Sequence, residues 1–172
     1  MTSISSSAAG PGAGYASACL ISDLHLDESR PAVTAGLEHF IRDLQQIDAL
    51  YILGDLFETW LGDDDDRALV HEAATVLSSV SNRGIDLYLM RGNRDFLLGE
   101  AFCRRVGAAL LPDTAVHTLG QTPTLLMHGD ILCTGDDDYQ SFRRMTRDPA
   151  WQARILACRT PGTWTHPPPW QA

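Results

Sequence analysis

Three short apolar runs, at residues 16–22, 49–53 and 85–90, are separated by two stretches whose apolar residues recur at helical spacing. In the first stretch, opened by Pro31, these are Val33, Leu37, Phe40, Ile41, Leu44 and Ile47. In the second they are Leu69, Ala73, Val76, Leu77 and Val80, stopped by Asn82-Arg83-Gly84. Runs this short and this uniformly apolar suit strands buried on both faces, and their alternation with amphipathic helices predicts an α/β fold built on a mostly parallel sheet. The pattern continues with a short helix at 96–106, ended near Gly107, and two strands at 115–119 and 124–127 around a turn at 120–123. A mostly helical stretch at 136–158 follows, broken at Pro149. One domain over 16–158 fits the length, with a Ser-, Ala-, Gly- and Pro-rich leader at 1–15.

Charge and composition exclude several functions. No apolar stretch approaches the roughly 18 residues of a membrane-crossing helix. The net charge is −9, which disfavours the nucleic-acid backbone as a partner. All 13 cationic residues are arginine, so Schiff-base chemistry and lysine-bearing phosphate loops are absent. The four cysteines, Cys19, Cys103, Cys133 and Cys158, show no C-x-x-C spacing and suit reduced thiols in a cytoplasmic setting. Arg30 is the first positive charge, so the leader lacks the basic segment of a secretory signal.

The informative residues sit directly after the apolar runs. They are Asp23-Leu24-His25, Gly54-Asp55, Gly92-Asn93-Arg94-Asp95 and, after Met127, His128-Gly129-Asp130. Ligands of open parallel sheets bind outside the carboxyl ends of the strands, so the four groups should converge. Carboxylates, an Asn carbonyl and imidazoles form a mixed oxygen and nitrogen set suited to Mn, Fe or Zn. In an extended segment Asp23 and His25, two apart, would point the same way, and the two oxygens of Asp55 could bridge two ions. Singly, an Asp or Asn after a strand is more often a cap or turn residue.

This ordered set, with the longer stretches from Tyr51 to Asp64, Arg91 to Gly99 and Met127 to Thr134, resembles the UDP-2,3-diacylglucosamine hydrolase family of calcineurin-like metallophosphoesterases. The resemblance runs from about Ala18 to about Ala157. It implies a layered α-β-β-α sandwich whose second sheet is largely missing from this chain. It implies two manganese ions, one held by Asp23, His25 and Asp55, the other by Asp55, Asn93 and His128. Asn93, Arg94 and Asp136 match substrate-contacting positions. The implied reaction is hydrolysis of the pyrophosphate bond of UDP-2,3-diacylglucosamine, a lipid-linked UDP-sugar of lipid A biosynthesis, to UMP and 2,3-diacylglucosamine 1-phosphate. The implied location is peripheral, on the cytoplasmic face of the inner membrane. No protein nucleophile is needed, in keeping with the lack of a G-x-S-x-G elbow.

The family also carries a C-terminal Gly-His-Thr-His that has no counterpart here, which implies truncation and impaired activity. Residues 159–172 read as an irregular tail of the kind a shifted reading frame would give, and Thr165-His166 lies too soon after His128 to replace that motif. The alternatives are another calcineurin-like phosphodiesterase, a non-catalytic metal-binding remnant, or a chain that never folds stably because one sheet face stays bare. Trp60 suits either the core or a pocket wall. The Asp63–Asp66 run suits a solvated loop capping the next helix. His39 and His117 suit surface or packing roles. His71-Glu72 is followed by Thr75 where a zinc-protease helix needs histidine.

Overall fold

The computed structural model describes residues 14–158, so the tail at 159–172, including His166, and all but the end of the leader lie outside the described residues. Strands β1 (Ala18–Ile21), β2 (Ala49–Leu53), β3 (Asp86–Met90) and β4 (Ala108–Leu110) form one parallel sheet in that order. Helices α1 (Pro31–Asp43), α2 (Ala68–Asn82) and α3 (Glu100–Val106) connect them. Strands β5 (Thr114–Leu119) and β6 (Thr122–Met127) pair as an antiparallel hairpin. A single 3-10 turn (Asp130–Leu132) and helices α4 (Asp137–Thr146) and α5 (Pro149–Cys158) follow.

The parallel register divides the sheet's side chains between two cores. Leu50 and Ile52 of β2 and Leu87 and Leu89 of β3 face Leu37 and Ile41 of α1 and Val70, Ala73 and Leu77 of α2. The alternate residues Ala49, Tyr51 and Met90 pack instead against Leu111, Ala115 and Leu126. The hairpin therefore covers the second face. Tyr51 and Tyr88 stack with ring centroids 4.7 Å apart, and the Tyr51 hydroxyl lies 2.9 Å from His117 Nδ1. This corrects the expectation of a bare sheet face: Tyr51 is fully buried, and the face opens at the two edge strands, at Leu20 of β1, 41% exposed, and at the exposed Ala109 of β4. The hairpin's own outer face carries the paired Val116 and Leu125, 63% and 56% exposed.

Three further sequence expectations change, and one strand was not foreseen. Tyr15 belongs to the fold rather than to the leader: its hydroxyl reaches Asp86 and its amide bonds the Thr118 carbonyl. The helix foreseen from Phe96 begins at Glu100, because Phe96, Leu97 and Leu98 are buried in a turn and Gly99 is fully extended. Strand β4 has no sequence signal, since three residues after a helix stop cannot show a period. The Asp63–Asp66 run is not uniformly solvated. Asp63 caps α3 across the fold by accepting the Gly99 and Ala101 amides at 2.8 Å, and Asp65 is buried against Arg67. Trp60 is core, stacked on Phe57 at 4.6 Å and edge-on to Phe102. Among the described residues no helix is long and apolar enough to cross a membrane. All four cysteines are free, and burial pushes the Cys103 thiol up to about 12.

Candidate metal centre

The loops leaving β1 and β2 run side by side. The Asp23 amide bonds the Gly54 carbonyl at 3.1 Å, the His25 amide bonds the Asp55 carbonyl at 2.9 Å, and the Leu26 amide bonds the Leu56 carbonyl at 2.9 Å. That ladder sets Asp23 and His25 beside Asp55. Neither residue is extended, however: φ is 57° at Asp23 and 49° at His25, so the two side chains converge through left-handed turns rather than strand periodicity. Asp55 is also left-handed, with φ at 52°. Three of the four non-glycine residues with positive φ among the described residues therefore lie in this one cluster, and such local strain gathers at functional sites.

The loops after β2 and β3 are tied by Asp95. Its carboxylate is fully buried and accepts the Gly92 amide at 2.7 Å, the Leu56 amide at 2.8 Å, the Asp55 amide at 3.3 Å and the Phe57 amide at 3.4 Å. Gly92 sits against Asp55 so closely that a Cβ there would overlap the Asp55 carboxylate and amide. Gly92→Ala should therefore force these loops apart and destabilise the chain by about 1–3 kcal/mol, the usual range for overpacking, which urea unfolding would measure. An unchanged midpoint would show that the loops are not rigidly apposed.

His128, after β6, donates from Nδ1 to the Leu53 carbonyl at 2.8 Å, because that carbonyl can only accept. Its Nε2 is then a lone pair, 3.0 Å from Asn93 Oδ1 and 3.8 Å from Asp55 Oδ2. His25 is arranged in the same way. Its Nδ1 lies 3.0 Å from Glu58 Oε2, and its Nε2 faces Asp55 Oδ2 at 3.5 Å and Asp23 Oδ1 at 3.8 Å. Ligand atoms of Asp23, His25 and Asp55 lie within 4.8 Å of one another. Lone pairs converging without a proton between them repel, and a cation resolves the repulsion. The residues present thus fit divalent metal by their donor chemistry.

One detail differs from the sequence expectation for Asp55. Oδ2 alone faces both histidines, while Oδ1 accepts the Arg94 amide at 2.8 Å. Burial raises the Asp55 pKa, against the Arg94 amide and the two histidines, which lower it.

The structure brings Asp23, His25, Asp55, Asn93 and His128 into one cluster, with Arg94 on its rim, 47% exposed and 3.7 Å from Glu58 Oε1. Asp136 is placed differently. It is the N-cap of α4, accepting the Tyr139 amide at 2.9 Å, and none of its described contacts reaches the cluster. Sequence reasoning passed over Glu58, Asp95 and Asp130, although all lie inside or beside the quoted motifs. Asp130 anchors α4 through the Tyr139 hydroxyl at 2.7 Å and Arg143 at 2.9 Å. Burial pushes its pKa up, but the Tyr139 hydroxyl and the arginines outweigh this and hold it low.

Comparison with known proteins identifies the family of the chain. The chain matches the calcineurin-like phosphoesterase family over residues 17–170. A Chromohalobacter salexigens protein named UDP-2,3-diacylglucosamine hydrolase is 52% identical over 139 residues, or 80% of this chain and 56% of the relative. Proteins of the same name from Xanthomonas campestris and Stenotrophomonas maltophilia are each 52% identical over 138 residues. The chain spans 56% of the length of each of these relatives.

Proposed function

Because the chain belongs to the calcineurin-like phosphoesterases, we propose that its cluster serves metal-dependent hydrolysis of the pyrophosphate bond of UDP-2,3-diacylglucosamine, giving UMP and 2,3-diacylglucosamine 1-phosphate. The observation that carries the reading is the pair of Nε2 atoms, from His25 and His128, that face one Asp55 oxygen from 3.5 and 3.8 Å. Two manganese ions are the proposed cofactor. Asp23, His25 and Asp55 would hold the first, and Asp55, Asn93 and His128 the second. Bound there, such ions supply charge neutralisation and Lewis acidity to a phosphate ester. The substrate is lipid-linked, so the proposed location is peripheral, at the cytoplasmic face of the inner membrane.

The chain's own residues supply the rest. Arg94 presents its guanidinium at the rim, where it can take two phosphate oxygens in parallel. Asn93 turns its Oδ1 toward His128, which leaves its Nδ2 hydrogens for a phosphate oxygen. Asp136 is proposed as a further substrate contact, beside its capping role. The reading requires no protein nucleophile.

Arg94 provides the test. In this chain joined to the C-terminal segment of the Chromohalobacter salexigens relative, UMP release from the lipid sugar nucleotide should depend on manganese. Arg94→Ala should lower turnover by roughly tenfold to a thousandfold, the effect of one preorganised donor. Manganese content should stay constant, because the Arg94 backbone amide that holds Asp55 Oδ1 remains. Loss of the metal together with the rate would move Arg94 from substrate binding to site architecture, and hydrolysis without manganese would overturn the reading.

A further inference from the structure

Glu58 lies in the loop after β2, beyond the motif residues matched to metal or substrate, and it touches both. Its Oε2 is 3.0 Å from His25 Nδ1 and also accepts from Arg30 Nη2 at 3.1 Å. Its Oε1 faces Arg94 Nε at 3.7 Å. Arg30 in turn donates to the His25 backbone carbonyl at 2.6 Å, so the carboxylate is braced on the same residue whose ring it meets. Neither group is deeply buried: the side chains of His25 and Glu58 are 25% and 31% exposed. The short contact is therefore not forced by close packing.

An unassisted imidazole in water favours the tautomer with its proton on Nε2. In that tautomer His25 would aim an N–H at Asp55 and Asp23, and its lone pair would point away from the cluster. A carboxylate at Nδ1 reverses this, because it can only accept. His128 is held in the corresponding tautomer by a backbone carbonyl, which no substitution removes. His25 depends on a side chain.

We propose that Glu58 is a positioning residue for the centre: by accepting the Nδ1 proton it turns the Nε2 lone pair of His25 toward Asp23 and Asp55, and with its other oxygen it keeps Arg94 on the rim. The metal part of this rests on the function proposed above; the tautomer part does not. Carboxylates in this position behind a ligating histidine orient the ring and raise its basicity, and removing one weakens metal binding by roughly tenfold to a hundredfold.

The test uses the 172-residue chain, nitrogen-15 labelled, first without metal and then with manganese alone. Long-range proton–nitrogen correlation spectra of the metal-free wild type should show His25 with its proton on Nδ1. Glu58→Ala should move that proton largely to Nε2, while His128 stays on Nδ1 as the internal control. Glu58→Gln should keep the Nδ1 proton, because its amide oxygen still accepts. In manganese titrations the alanine variant should lose roughly tenfold to a hundredfold in affinity, and the glutamine variant should recover part of it. A His25 tautomer unchanged in Glu58→Ala, or manganese affinity equal in wild type and alanine variant, would overturn the proposal. A wild type that binds no manganese would instead sink the metal reading, and the tautomer spectra would then decide the role of Glu58 alone.

Discussion

Asp55→Ala is expected to abolish manganese binding altogether, whereas Asn93→Ala should weaken only part of it. The asymmetry follows from position. Asp55 Oδ2 faces His25 Nε2 at 3.5 Å on one side and His128 Nε2 at 3.8 Å on the other, whereas the Asn93 side chain meets His128 alone among the described residues. Removing Oδ2 separates the two halves and leaves both histidines without a shared anion. Loss of an indirect partner already costs roughly tenfold to a hundredfold in affinity, so loss of the shared ligand should exceed a hundredfold. Titration with manganese, read by calorimetry or by the free-ion spin signal, gives the answer. Unchanged affinity in Asp55→Ala would remove it from the centre of the site. Stability should move the other way. Burial raises the Asp55 pKa, so the ionised form is held in the metal-free fold at a cost that grows as the pH rises through its titration. Asp55→Asn should then leave the metal-free chain at least as stable at neutral pH as the wild type.

The sheet and its first two helices were legible because their apolar spacing is unambiguous. Pro31 opens α1, and β2 spans Ala49–Leu53 as the apolar run does. The hairpin was legible from its turn, and the helix break at Pro149 from the missing amide. The short elements were not legible. Strand β4 gains its identity only from pairing with Leu87, Tyr88 and Leu89, which local sequence does not carry. The helix start at Glu100 depends on Asp63, 36 residues away along the chain from the first amide it caps.

The site divides in the same way. Asp23, His25, Asp55 and Asn93 were legible because each follows a strand of the parallel sheet, whose ends meet, whereas His128 follows the antiparallel hairpin and is brought in by its bond to the Leu53 carbonyl. How they meet was not. Asp23 and His25 converge through paired left-handed turns, which no alternation of side chains would reveal. Glu58 and Asp95 were passed over for a common reason. Each works on another residue of the site rather than at its centre, Glu58 on a ring nitrogen and Asp95 on four backbone amides, and such contacts exist only once the loops are folded.

Asp95→Ala is expected to be the most damaging single substitution for stability. The carboxylate is fully buried, and its four amide donors belong to two different strand-end loops. Without it these donors stay buried with no acceptor, at about 1–3 kcal/mol for each group left unsatisfied. Partial relaxation brings the expected loss to at least about 3 kcal/mol, a large part of the roughly 5–15 kcal/mol that holds an ordinary domain together. The pH dependence has an unusual sign. Burial raises the Asp95 pKa to about 6, against the amide bonds that lower it. The native state of the metal-free chain therefore takes up this proton more readily than the unfolded one. The stability linked to that uptake is complete below the unfolded value near 3.8 and is lost as the pH rises through about 6. On going from about pH 7 to about pH 5, the gap between the wild type and Asp95→Ala should accordingly widen by about 1 kcal/mol. Urea unfolding of both metal-free proteins at the two pH values measures it. A gap that narrows on acidification would mean that the four amides outweigh burial and that Asp95 is held as a firmly ionised clamp. A loss below about 1 kcal/mol at pH 7 would mean that the two loops keep their places without it, and that Asp55 is positioned by its own strand alone.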